Sequence, residues 1–374
     1  MELSDLAPVL TAEGPFVTVH VGADSAVESA AAHYDLAWKN VLRQLEERGV
    51  AAEVRAAVSG ARGEHADGPS RLVVVSIPDA EVRLSVPVST PPAVEAVDIG
   101  PLPRLLPLVT DVIARVPHVV VRADRTGADI TAYYDTDSVA GEVTVQGETL
   151  HMRKGVGGGS QMHVEHRAED VWTKNGEDIA SSADRLAQHV GAELVIGVGD
   201  QRELDLVGKA LPAAWQGRYV QVPGGRGGDG SEQLVQSRVR DAVAVHVAAA
   251  TLDLLAEFAQ ERGQVKRACD GVEDVVAALR KAQVETLLLT TEAGATGTLW
   301  FGAEPSVLGT SREEIVALGV DEPREGPAVD VLLRAAVGTG SDVQLVPHQP
   351  AEAPNGGVGA VLRYADRDNA AARG

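Results

Sequence analysis

Aromatic side chains are scarce. Phe, Tyr and Trp together make up 3% of the chain, so its cores must be built from Val, Leu, Ile and Ala. Cysteine is scarcer still: Cys269 stands alone and cannot form an internal disulfide, which excludes a disulfide scaffold and fits a reducing compartment. No run of about 18 or more apolar residues occurs and the first residues carry no signal-peptide pattern, so the sequence predicts a cytoplasmic protein with no membrane partner. Cations are also in deficit. With 33 Lys and Arg against 54 Asp and Glu, the formal charge is −21, which argues against DNA as a partner, because duplex binding needs cations to neutralise phosphates. Net charge describes the whole surface, so a local basic patch can still meet RNA. No GKS or GKT is present, hence no P-loop, and no cofactor is implied.

What is present is enough apolar residue, 44% over 374 positions, for more than one globular core. The periodicities predict an α/β (mixed α+β) chain of three domains, with boundaries near Pro117 and in the glycine-rich run 223–230. In 1–117, a strand at 16–21 precedes a helix whose Tyr34, Trp38, Val41, Leu42 and Leu45 share one face. A hairpin at 71–86 follows, and then a proline-rich linker with one short helix at 104–115. In 118–225, a hairpin turning at Gly127 and a third strand at 142–148 precede a helix at 162–189. Strand, helix and strand then alternate, which predicts an RNase H-like mixed sheet flanked by helices. Asp200 with Glu203 has the spacing of a capping box at the second of these helices. In 226–374, a long helix at 231–262 leads into a small α/β/α sandwich. Its acidic stretch 304–330 reads as a solvated face rather than a metal site.

The segment that stands out is His151 to Arg167, HMRKGVGGGSQMHVEHR. Arg153 and Lys154 precede Gly155, Gly157, Gly158 and Gly159. Ser160 and Gln161 follow, and then a helix carrying His163, His166 and Arg167. Glycines permit close backbone approach to another molecule, and the cations suit phosphates, so 155–161 reads as an RNA-directed loop. Other chemistries fit less well. His151, His163 and His166 have no fourth zinc ligand nearby. Ser160 lacks the GxSxG frame of a nucleophile elbow. Asp124, Asp129, Asp135 and Asp137 could hold Mg²⁺ for nuclease chemistry, although turn geometry explains Asp124 equally well. Gly197-Val198-Gly199 is a lone GxG, better explained as a tight strand-to-helix turn than as a dinucleotide site.

Two motifs carry a family resemblance. Gly158-Gly159-Ser160-Gln161 before a long helix, and Gly356 to Tyr364 (GGVGAVLRY), resemble the GGQ loop and the C-terminal signature of the eukaryotic and archaeal class-one release factor and Pelota superfamily. Ala12 to Phe16 (AEGPF) and Arg125 to Asp129 (RTGAD) resemble the actinobacterial branch of its bacterial relatives, which is similar to the ribosome hibernation factor Balon. The resemblance implies a protein of the ribosomal A site. The first domain would lie toward the decoding centre, the middle one toward the peptidyl transferase centre, and the last one toward a translational GTPase such as EF-Tu. It implies the 70S ribosome and its rRNA as partner, with Arg153, Lys154, Gly155, Gly157, Gly158, Gly159, Ser160, Gln161, His163, His166 and Arg167 forming the RNA-binding loop. The expected role is that of a binding factor rather than an enzyme. The alternative is a peptidyl-tRNA hydrolase in which Gln161 positions water. GGSQ carries one residue more than GGQ between the glycines and the amide, which would displace that glutamine; hydrolases resembling the same superfamily carry a GSQ-like loop.

Overall fold

The computed structural model describes residues 2–22, 30–63, 70–90, 92, 95–124, 126–135, 138–147, 161–224, 232–263, 267–290, 297–346 and 353–365, with the backbone alone at 30 and 161–170. The chain forms two compact units, Met1–Ala114 with Thr251–Gly374, and Arg115–Ala250. The expected first and last segments thus contribute to one unit, and the expected middle segment lies in the other.

The first stretch of the chain contains α1 (Ala7–Leu10), β1 (Phe16–Gly22), α2 (Ala30–Glu47), α3 (Ala52–Gly60), β2 (Ser70–Ser76), β3 (Val82–Val88), β4 (Ala96–Gly100) and α4 (Leu106–Ile113). Its antiparallel sheet runs β3-β2-β1-β4. Strand alternation sends Val17, Val19, Val21, Val73 and Val75 to one face, where Tyr34, Trp38, Val41 and Leu45 of α2 and Val54 and Val58 of α3 cover them. Phe16, Leu72 and Val74 face the other way. The expected linker after residue 86 is partly wrong, because 96–100 is β4, hydrogen-bonded along β1. The prolines misled: Pro87 sits in β3, an edge strand, where a missing N–H does no harm.

The second unit contains β5 (His118–Asp124), β6 (Gly127–Tyr133), β7 (Val139–Gln146), α5 (Gln161–Val190), β8 (Leu194–Gly199), α6 (Gln201–Ala210), β9 (Tyr219–Pro223) and the start of α7 (Glu232–Gly263). Its sheet runs β7-β6-β5-β8-β9, antiparallel among the first three strands and parallel from β5 to β9. That is the RNase H-like arrangement. α5 lies on one face through Ile179, Ala180, Ala183 and Ala187, and the small side chains bring it close to Val119, Val121 and Ile130. α6 joins it there through Leu204 and Val207. On the opposite face, Val235, Val239 and Val243 of α7 pack on Val120, Ile196 and Val198.

The last stretch contributes the end of α7, β10 (Ala268–Asp270), α8 (Val272–Arg280), β11 (Val284–Thr290), β12 (Thr298–Phe301), β13 (Leu308–Gly309), α9 (Arg312–Ala317), β14 (Arg324–Pro327), α10 (Ala328–Gly338), β15 (Asp342–Val346) and β16 (Val358–Leu362). A sheet ordered β10-β16-β11-β15 carries Leu255 and Phe258 of α7 against Leu288 and Val361 on one face. α8 and α10 meet Leu287, Leu289, Ala360 and Leu362 on the other, making the expected α/β/α sandwich. A smaller sheet, β13-β12-β14, lies within the acidic stretch. By length and composition, one window of α7 is apolar enough to cross a membrane; Val235, Val239, Val243, Leu255 and Phe258 of this helix are buried in hydrophobic clusters. The same cluster that holds α8 and α10 includes Leu6, Leu10, Phe16, Leu105 and Leu108, which is why the ends of the chain share one unit.

The GGVGAVLRY signature acquires a structural explanation here. Gly356 and Gly357 have φ of 65° and 79°, the left-handed region that glycine occupies without steric cost, and they turn the chain into β16. A Cβ at Gly359 would press on Phe258 and Pro354 at 2.9 Å. Arg363 then donates to the carbonyls of Ala282, Thr339 and Gly340, which follow the ends of α8 and α10.

Candidate functional site

The glycine-rich segment joins β7 to α5. Arg153, Lys154, Gly155, Gly157, Gly158, Gly159 and Ser160 lie outside the described residues, as do His151 and Asp137. Gln161 occupies the first position of α5, and His163, His166 and Arg167 lie within its first two turns, as positions on the helix backbone. The first turn of any helix directs backbone N–H groups without intrahelical partners toward the residues before it, a favourable setting for negative charge.

Both ends of the segment are tied to the sheet. On the strand side, the hairpin between β5 and β6 is closed by Asp124, whose Oδ1 accepts from Thr126 N at 2.7 Å and Thr126 Oγ1 at 2.6 Å. Gly147 N donates to Thr126 O at 2.8 Å, so the last described residue before the segment is pinned to that turn. Gly127 has φ of 144°, and a Cβ there would collide with the Val145 carbonyl. Gly147 lies so close to Asn175 of α5 that a Cβ would stand 2.5 Å from its Nδ2. On the helix side, Gly176 of α5 packs against Leu206 of α6, and Arg202 lies 4.6 Å from the centre of the Trp172 ring. Trp215 Nε1 donates to Asp184 Oδ1 at 2.8 Å further along the helix. Gly127→Ala is expected to cost about 2 kcal/mol or more, because it combines an unfavourable φ with a backbone clash. Its denaturant midpoint should fall with little change in slope.

The other sequence candidates have structural roles. Asp124 serves its turn. Asp129 Oδ1 accepts from Thr144 Oγ1 at 2.9 Å, and Asp135 accepts from Ser138 N at 2.8 Å while facing Arg115 at 3.9 Å. These carboxylates are dispersed over two turns and a strand rather than converging, and no metal-holding group of His, Cys, Asp or Glu occurs among the described residues. Gly197 is packed under Tyr219 and Leu204, which fits a tight strand-to-helix turn. Tyr219 itself donates to Leu204 O at 2.9 Å, and burial raises its pKa beyond the usual phenol range. Asp200 caps α6 by accepting from Arg202 N at 3.0 Å.

A second constellation was not singled out from sequence. On the face of the sheet opposite α5, His118 and Tyr133 are register partners of β5 and β6 and stack at 5.1 Å with 11° between their rings. Arg122, on the same face of β5 four residues after His118, makes a bidentate ion pair with Glu232 of α7 at 2.7 and 2.8 Å. The pair holds the Glu232 carboxyl below the usual range, chiefly through the hydrogen bonds from Arg122. Equal-face placement followed from the predicted hairpin, but nothing in the sequence told that α7 would stand beside it.

Residues 117–264, from just before β5 to the end of α7, match the model of bacterial archaeo-eukaryotic release factor family 2. Over that segment, the middle part of the chain, it is similar to the bacterial relatives of the archaeal and eukaryotic release factors. It is 24% identical to an uncharacterized protein found in two strains of Mycobacterium tuberculosis, over 96% of this chain and 95% of that one. Among solved structures it is similar to Pelota of Archaeoglobus fulgidus, with 16% identity, 79% and 80% coverage and a TM-score of 0.35. It is also similar to Dom34 of S. cerevisiae, a translation termination-like factor interacting with Hbs1, with 12% identity, 80% and 81% coverage and a TM-score of 0.42.

Proposed function

We propose that the protein is a ribosome-binding factor that occupies the A site of idle 70S ribosomes under stress, as a hibernation factor does, with residues 155–161 directed to the peptidyl transferase centre. The observation that carries this reading is the release-factor family match at 117–264, because that segment spans the sheet and the helix that hold both ends of the glycine-rich connection. Arg153 and Lys154 would contact rRNA or tRNA phosphates, and Gln161, His163, His166 and Arg167 would extend the same surface. Residues 1–117 would face the decoding centre. Residues 226–374 would meet a translational GTPase such as EF-Tu, through the acidic surface that suits a protein better than RNA. A ribosomal role places the chain in the cytoplasm.

A second reading is a peptidyl-tRNA hydrolase. What favours it is the place of Gln161 at the junction of connection and helix, where an amide could hold water against an ester bond. Sedimentation with vacant 70S ribosomes and release of labelled peptide from ribosome-bound peptidyl-tRNA separate the two. The expected result is co-sedimentation at low salt, weakened about tenfold or more by charge reversal at Arg153 and Lys154, with no peptide released. Release that is lost in Gln161→Ala would establish the hydrolase instead. Failure to co-sediment at low salt would remove both.

A further inference from the structure

The His118–Tyr133 stack forms the floor of a cavity of about 240 Å³ within the second unit. Its walls are Arg122 of β5 and Gln236 and Arg240 of α7. The cavity exists because α7 covers only part of this face. Val235, Val239 and Val243 sit over β5 and β8, leaving the β6 and β7 side open, and Val139 at the rim is 53% exposed. We propose that this cavity binds a nucleotide: one nucleobase stacked on the Tyr133 ring with an edge toward His118 Nε2, and its phosphate on Arg240.

The chemistry of each wall points to that ligand. His118 is 1% exposed. Its Nδ1 lies 2.8 Å from the Val116 carbonyl, an acceptor, so Nδ1 carries the proton and Nε2 keeps its lone pair. Burial lowers the pKa of this imidazole, which keeps it in that neutral form. Nε2 has no hydrogen-bond partner among the described residues, so its lone pair can accept from a donor in the cavity. The N–H groups on a nucleobase edge are donors of the right kind. Gln236 adds an amide able both to donate and to accept, the pairing that reads a base edge. Arg122 is already held by Glu232, so it serves as a fixed cationic wall. Arg240 is exposed on α7, one turn beyond Gln236, and has no ion pair among the described residues. In a chain of charge −21 a guanidinium left at the mouth of an aromatic-floored cavity is suited to a phosphate. The volume lies just under the range of about 300–1,000 Å³ that encloses larger ligands, so the site admits one base and part of its sugar. Stacking on an aromatic ring with a cation beside it is the usual means of holding a single unpaired base.

A free nucleotide and an unpaired residue of RNA present the same base and phosphate, and neither source requires the ribosomal reading above. The test therefore uses the purified full chain without ribosomes. Binding of AMP, GMP, CMP and UMP is measured by ligand-observed NMR, and binding of a fluorescein-labelled RNA hexanucleotide by anisotropy. Wild type is compared with Arg240→Glu and Tyr133→Leu, with a thermal melt for each variant. Saturable binding of a mononucleotide, weakened about tenfold by Arg240→Glu and by Tyr133→Leu, supports the site and a free nucleotide as its ligand. Binding of the hexanucleotide alone, with the same losses, supports the site and an RNA residue as its ligand. No binding of any probe up to about 5 mM, weaker than any useful affinity, overturns the proposal. So does binding that Arg240→Glu leaves unchanged, and because residue 240 is exposed, this variant remains decisive should Tyr133→Leu unfold.

Discussion

Replacing Arg334 with alanine is expected to destabilise the first unit by about 2–4 kcal/mol, the range found when a large buried side chain that satisfies buried acceptors is removed. Arg334 lies in α10 and is 1% exposed. Its Nη1 donates to Glu304 O at 3.2 Å and its Nη2 to Ala303 O, so this side chain ties the turn between β12 and β13 to α10. Its guanidinium carbon lies 5.3 Å from the centre of the Phe301 ring, and Arg324 approaches the same ring at 5.0 Å. Burial, followed by repulsion from Arg324, brings its pKa down to about 10, which still leaves it charged at neutral pH. Alanine would leave two carbonyls without a donor and a void beneath Phe301. Methionine fills the void but supplies no donor, so Arg334→Met should fall between wild type and alanine in urea unfolding followed by circular dichroism. A methionine variant as unstable as the alanine one would show that the hydrogen bonds, and not the volume, dominate.

Asp330→Asn should have an effect that changes with pH. Asp330 was expected on a solvated acidic face, yet it is 2% exposed. Arg104 Nη1 lies 3.1 Å from its Oδ2, although that oxygen has no hydrogen-bond partner among the described residues. Arg104 is shared with Asp98, whose Oδ2 accepts from its Nε at 2.7 Å. Burial raises the Asp330 pKa from 3.8 to about 7; nearby Asp98 adds to the rise, and Arg104 opposes it. The folded state therefore holds a proton that the unfolded chain releases near pH 4. The stability linked to that proton is fully present below the unfolded pKa and is lost as pH rises through about 7. Buried His20 and His118, with lowered pKa values, work in the opposite direction, so the measurement is the difference between variant and wild type. Asn cannot ionise. Relative to wild type it should gain about 1–3 kcal/mol between pH 5 and pH 8. A difference that stays flat over that range would mean that Arg104 keeps the carboxylate ionised throughout.

Much of the layout was legible locally. The β5–β6 hairpin followed from two alternating strands about Gly127, and α5 from its apolar spacing. The RNase H-like order followed from three strands succeeded by helix–strand alternation. What escaped was decided by distant partners. β4 is a strand because β1 offers it an edge, a fact absent from its proline-flanked sequence. β10 is three residues long, and its pairing with β16 spans most of the last segment. The acidic stretch hid one carboxylate that tertiary packing removed from water. The glycine-rich connection could be located from composition alone, since residues with little local preference show themselves by that lack.

The sequence by itself determined most of the element types, the RNase H-like alternation, the α/β/α sandwich and the place of the string GGVGAVLRY, because each rests on periodicity, turn chemistry or a short fixed string. Only the tertiary structure decided that the two ends of the chain share a hydrophobic core and that Asp330 is buried. The same is true of the cavity in which Gln236 and Arg240 of α7 stand beside His118 and Tyr133. Burial and cavity shape depend on which faces meet across more than a hundred residues, and no local pattern encodes that meeting.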